Sequence, residues 1–158
     1  RINMSGRIEA RLKSLGLTLP AAPAAVANYV PFVVAGNLLF VSGQISKAGD
    51  GTLVTGKLGD GVTVEQGRAA ARLCALNILA QAKAALGDLD RIRRCVKLTG
   101  FVSCVPAFKD QPAVVNGCSD LLVEVLGDAG RHTRSAVGAP SLPLDVSVEI
   151  EAIFEIAG

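Results

Sequence analysis

One arginine and two glutamates in the last quarter of the chain have the types and spacing that could do chemistry. Arg134 opens the run Arg134 to Gly138, and Glu149 and Glu151 lie two residues apart within Val146 to Ile156. In that final run Val146, Val148, Ile150, Ala152, Phe154 and Ile156 face one way. Ser147, Glu149, Glu151, Ile153 and Glu155 face the other, the period-two pattern of a half-buried strand. An arginine presents a planar fork that binds a carboxylate through two parallel hydrogen bonds. A glutamate held nearby can orient a water or move a proton. If the two strands are neighbours in a suitable register, Arg134 and Glu149 share one surface. The same spacing fits an ion pair in which Arg134 neutralises Glu149 or Glu151, and from spacing alone the ion pair is the commoner outcome.

The rest of the catalytic inventory is thin, with one His, one Tyr and no Trp. His132, two residues before Arg134, reads as a solvated loop residue in preference to a polar group at a cleft rim. Cys74, Cys95, Cys104 and Cys118 contain no C-x-x-C pair, so with a single histidine they do not form a zinc pattern. They are expected to be reduced and packed as small hydrophobes, Cys104 included. No metal and no cofactor is expected. Arg91, Arg93, Arg94 and Lys97 form a small basic cluster, expected to be a solvated strand edge.

The 158 residues fit a single domain, and a 50% hydrophobic, 19% charged composition excludes disorder. A net charge of +2 gives no electrostatic footprint for nucleic acid. The richest apolar stretch, Val26 to Val41, is broken by Asn28, Pro31, Gly36 and Asn37, which excludes a membrane span there. Arg1-Ile2-Asn3-Met4 does not resemble a signal peptide, so the expected location is cytoplasmic. Such apolar content in a small chain hints at surface buried between subunits.

The elements that must position these residues follow from periodicity. Residues 5–15 read as a short amphipathic helix, and 17–28 as an extended linker. Val30–Val34 and Leu38–Ser42 flank Ala35-Gly36-Asn37 as a hairpin. A third strand is expected over Thr52–Lys57. Thr63 and Gln66 form a capping box for a long helix that ends near Leu86, before Gly87. A strand over Arg94–Ser103, a second helix from Asp110 to Gly127, and the two strands already described complete the order α-βββ-α-β-α-ββ. That is an α+β sheet with two long helices packed on one face and a short N-terminal helix.

Two segments carry a family resemblance. One runs from Pro23-Ala24-Ala25-Val26-Ala27-Asn28-Tyr29-Val30 through Gly36 to Val41-Ser42-Gly43-Gln44-Ile45. The other is Arg134-Ser135-Ala136-Val137, Leu142-Pro143 and Val148-Glu149-Ile150-Glu151-Ala152. Together they resemble the RidA/YjgF family, also called the L-PSP endoribonuclease family, over residues 20–156. The resemblance implies one chorismate-mutase-like domain with a mixed sheet, residues 20–158 as core and 1–19 as an added helix and linker. It implies a homotrimer with sites in clefts between subunits, where 2-enamino and 2-imino acids are hydrolysed to 2-oxo acids and ammonia. By the same resemblance Arg134 holds the substrate carboxylate and Glu149 positions the attacking water. Tyr29, Ser42, Gly43, Asn116 and Ser135 line the cleft. The chain departs from the family at Ala136, where a cysteine is frequent, and at His132-Thr133. The rival functions are a small-carboxylate binding or regulatory protein and an endoribonuclease.

Overall fold

The computed structural model describes residues 6–24 and 27–158. The expectations for residues 1–5, and for Ala25 and Val26 of the first motif, fall outside the described residues.

Two strands joined by the shortest practical turn begin the sheet. β1 (Phe32–Ala35) and β2 (Leu38–Ile45) pair antiparallel, closing with Ala35 opposite Leu38. Gly36 takes φ 61 at the first turn position, where two-residue hairpin loops of the II′ kind need a positive φ. β5 (Ile92–Ser103), β6 (Thr133–Ala139) and β7 (Val148–Ile156) complete a sheet of order β1-β2-β7-β5-β6. It is mixed: β5 and β6 run parallel, and the other pairs are antiparallel.

α2 (Val64–Leu86) and α3 (Gln111–Leu126) cover one face. The Thr63–Gln66 capping box forms as expected, with both reciprocal hydrogen bonds present. The core lies between sheet and helices. Leu98, Val102, Val148, Ile150 and Phe154 of the sheet are buried with Ile78, Leu79, Val115, Leu121 and Leu122 of the helices. The fully buried rows of β7 are those the alternation assigned. α1 (Arg7–Ser14) is tied to the domain by the Asp90 carboxylate, which accepts hydrogen bonds from the Arg7 and Ile8 amides at 2.9 Å each. That carboxylate serves as the cap its own N-cap residue, Gly6, lacks.

The third strand expected over Thr52–Lys57 is not a strand of the sheet. That segment instead makes isolated bridges, Lys47 to Leu53 and Thr55 to Val146, and only Lys57–Leu58 forms β3, which pairs with β4 (Gly61–Val62). Glycines at 51, 56, 59 and 61, all with positive φ, break its extension.

α2 and α3 meet closely at Gly117, where a Cβ would collide with the Arg68 carbonyl. Gly117→Ala must therefore push α3 away from α2. We expect a loss of about 1–3 kcal/mol in urea unfolding, the usual cost of overpacking a tight contact; an unchanged midpoint would show that the helices tolerate separation.

Candidate functional site

Register decides where the proposed reactive groups lie. On β7, Glu149 is opposite Ile45 of β2 and Phe101 of β5. Phe101 in turn is opposite Val137 of β6. The row Ile45, Glu149, Phe101, Val137 therefore crosses the sheet face that α2 and α3 leave open. Glu149 is half-buried among these apolar neighbours. Burial, helped by the nearby charge of Glu151, raises its pKa above the ordinary 4.5. No ion pair to Glu149 or Glu151 forms among the described residues.

The β2 backbone makes room for this carboxylate. The register between β2 and β7 shifts between Val41 and Gln44, a bulge that contains Ser42 and Gly43. Glu149 Oε2 occupies the space that a Cβ on Gly43 would take. Ser42 anchors the preceding segment: its amide donates to the Pro31 carbonyl and its Oγ to the Val30 carbonyl, at 2.9 and 2.8 Å. Tyr29, next to Val30, is 54% exposed. A hollow of about 250 Å³ on the open face is lined by Ser42, Phe40, Lys97, Thr99, Glu151 and Ile153, among others, and Glu149 is not part of its lining.

Arg134 does not share this surface, contrary to the expectation. β6 is not a neighbour of β7, because β5 lies between them. Arg134 pairs with Leu98, whose side chain is in the core, so it points to the α3 side. There its guanidinium donates to Ser119 Oγ at 3.1 Å and to the Pro112 carbonyl at 3.4 Å. The Arg134–glutamate ion pair is excluded for the same reason. Asn116 lies between these two partners on α3, one helical turn from each, and so belongs to the Arg134 side. Ala136 shares the α3 side with Arg134, whereas Ser135, opposite Thr99, projects to the open face. The expected constellation thus divides into Arg134 with Asn116, and Glu149 with Ser42 and Gly43; Tyr29 adjoins the latter through Val30.

His132 is also not the solvated loop residue expected. Its Nδ1 is 2.6 Å from the Gly130 carbonyl and its Nε2 is 2.9 Å from Ser119 Oγ. Burial lowers its pKa, and the charge of Arg134 adds to the effect. Ser119 and Pro112 were not singled out from the sequence, although helical spacing from Asn116 places all three on one face of α3. Another unexpected feature precedes β7: Leu144 and Asp145 take positive φ, 58 and 60. Such strain in non-glycine residues persists where surroundings enforce it. Here the Gly56 amide holds the Asp145 carbonyl at 2.9 Å, on the approach to Glu149.

The four cysteines are free and buried, as expected. Burial pushes the Cys95 thiol up to about 12, and raises Cys74 and Cys118 as well, which keeps these thiols protonated and unreactive. No helix among the described residues is long and apolar enough to cross a membrane.

Comparison with known proteins places this geometry in context. Residues 9–155 match the model of a family described as "YjgF/chorismate mutase-like, putative endoribonuclease". Protein TCP17 of Trypanosoma cruzi is 50% identical over 153 residues, 96% of this chain and 96% of that protein. The structure of Atu1372 from Agrobacterium tumefaciens, a protein of unknown function, matches with a TM-score of 0.90 and 57% identity, over 98% of this chain and 95% of its own. E. coli TdcF with bound serine matches with a TM-score of 0.61 and 29% identity, over 86% of this chain and 94% of its own.

Two outcomes follow for Glu149. A carboxyl whose folded pKa lies above its unfolded value weakens the fold once pH rises through that folded pKa. Glu149→Gln should therefore raise Tm at pH 7, and the gain should vanish below about pH 4.5, where both states are protonated. A Tm lowered at pH 7 would mean that the charge is stabilising. Gly43→Ala, by contrast, must displace the carboxylate. In differential titration by NMR the Glu149 midpoint should move from its wild-type value, and an unmoved midpoint would show that the two groups are not in contact in solution.

Proposed function

The chain belongs to the YjgF/chorismate mutase-like family, and on that premise we propose that it hydrolyses reactive 2-imino and 2-enamino acids to 2-oxo acids and ammonia. The reaction takes place in clefts between the copies of a homotrimer. One observation carries this reading. A half-buried arginine and a half-buried carboxylate, neither in an ion pair among the described residues, sit on opposite faces of one sheet. Within one chain they cannot act on one small molecule. Between two copies, the α3-side edge of one sheet and the open face of another can form a single cleft.

The chemistry then has a division of labour. Arg134 holds the substrate carboxylate, with charge that persists at any working pH. Glu149 accepts a hydrogen bond from a water on the other side and draws off its proton as the water oxygen bonds to C2 of the imine. The imine nitrogen takes up a proton, which gives a tetrahedral carbinolamine. Its collapse breaks the C–N bond, releases ammonia and leaves the 2-oxo acid. One water is consumed for each ammonia released. The raised pKa of Glu149, caused by burial and the nearby charge of Glu151, improves its strength as a base. An enamine enters the same route after tautomerising to the imine.

Apolar exposure supports the association. Val33, Phe40 and Val137 are 49%, 40% and 43% exposed, and Phe40 and Val137 lie on the open face or its rim. The serine bound to TdcF favours a second reading, in which the same cleft captures a small amino or carboxylic acid without turnover. The family description also names an endoribonuclease activity. A net charge of +2 gives RNA little electrostatic purchase here.

A coupled assay tests the proposal. An amino-acid oxidase generates imino acids in place, and 2-oxo acid release is followed. Wild type should accelerate it. Arg134→Ala should raise KM about 10–100-fold, the value of a charge-assisted bidentate contact. Glu149→Gln should lower kcat about 10²–10⁴-fold. At substrate concentrations where both variants are impaired, co-assembling them should restore about a quarter of wild-type sites, because a mixed interface can draw its arginine and its glutamate from different copies. Carboxylate binding without acceleration would support the binder, and cleavage of a labelled RNA that depends on Glu149 would support the nuclease. Failure to complement would overturn the shared cleft.

A further inference from the structure

Arg134 stands on an edge strand, half-buried and without an acidic partner among the described residues. A long flexible side chain in that position loses rotamer entropy on each binding event unless something already holds it. The structure supplies such a holder, and it can be traced atom by atom. Gly130 packs so closely on α3 that a Cβ there would collide with the Leu122 carbonyl, so its own carbonyl is a fixed acceptor. That oxygen can only accept, so His132 Nδ1, at 2.6 Å, carries the hydrogen. In the neutral imidazole Nε2 is then an acceptor, and the Ser119 hydroxyl, at 2.9 Å, donates to it. With its hydrogen committed, Ser119 Oγ turns its lone pairs to Arg134 Nη1 at 3.1 Å. With the imidazole neutral, the direction of every hydrogen bond in the relay follows from the first.

We propose that His132 and Ser119 are positioning residues for Arg134, a relay anchored on the Gly130 carbonyl that presents the guanidinium, already oriented, to an incoming carboxylate. This rests on the reading of Arg134 as the carboxylate holder. Two of the five guanidinium N–H donors are spent, on Ser119 and Pro112, which leaves three for a carboxylate. The neutral imidazole is the form the surroundings favour. Arg134 is the charged group that bears on it. Asp128 and Arg131 of the preceding turn pair with each other at 3.4 Å. On α3, Asp120 lines the groove towards α2 beside Arg68 and Arg72. On β5, Lys97, opposite Thr133, lines the hollow of the open face.

The chain has one histidine, so its imidazole signals are unambiguous in NMR. At pH 7 the nitrogen shifts should report the Nδ1–H tautomer, and the Nε2–H tautomer or an imidazolium would overturn the relay. Titration with pyruvate then reads the carboxylate site without requiring turnover. Binding should perturb the imidazole signals and raise its titration midpoint, because the bound carboxylate offsets the charge of Arg134. Ser119→Ala and His132→Ala should each weaken pyruvate binding about tenfold, the value of roughly one well-placed hydrogen bond. In turnover that loss should appear in KM, with kcat within about twofold. Ser119→Thr keeps the hydroxyl and should bind as wild type does. In an Arg134→Ala background neither alanine substitution should have a further effect. Unchanged affinity in both single variants, with Arg134→Ala still impaired, would overturn the relay and leave the reading of Arg134 standing. Unchanged affinity in Arg134→Ala itself would overturn both.

Discussion

β5 is hydrogen-bonded on both sides, in parallel to β6 and antiparallel to β7, and its register fixes the faces on which Arg134 and Glu149 lie. Side chains alternate along a strand, so a shift of one residue would exchange the two faces completely. With Leu98 opposite Arg134 and Phe101 opposite Glu149, arginine and glutamate emerge on opposite sides of the same sheet. The register itself is held by burial. Leu98, Val102, Val148, Ile150 and Phe154 must face the helices, and a slip would turn them to solvent. At about 1.5–3 kcal/mol per large apolar side chain, that penalty far exceeds any single polar contact in the site. The functional geometry is thus a consequence of core packing.

Local patterning made most of the elements legible. The capping box at Thr63 and Gln66, the stop at Gly87 and the alternation of β7 depend on neighbours in sequence, and they reappear in the structure. The segment 52–57 does not extend as a strand of the sheet because Gly51, Gly56, Gly59 and Gly61, in and around it, take positive φ. The faces of β6 failed for a different reason. Its sequence, Thr133 to Ala139, is small and mixed, and only the partner strand decides which residues point inward. The motif resemblance named residues but carried no register. His132 was misread because its partners, the Gly130 carbonyl and Ser119, come together only when the turn before β6 folds back on α3. The excess of apolar residues was legible as composition, and the open face, with Phe40 and Val137 exposed, shows where part of it goes.

Under the proposed function, separation of the two charges is itself useful. Had the register brought Arg134 and Glu149 together, a charge-assisted ion pair would have formed between them. The guanidinium fork would then be occupied, and the glutamate, its pKa lowered by the arginine, would be a weaker base. Placed on opposite faces, each keeps its capacity. Arg134 is held by neutral partners, a hydroxyl and a carbonyl, which orient it without neutralising it. Glu149 lies among Ile45, Phe101 and the bare backbone of Gly43, and burial raises its basicity. On that proposal only a second copy can bring a complementary half to either, so assembly completes the pair. A substrate that bridges the cleft places its carboxylate on one side and its electrophilic carbon towards the other. The two groups then meet the molecule instead of each other, a geometry that one folded copy of this sheet cannot provide.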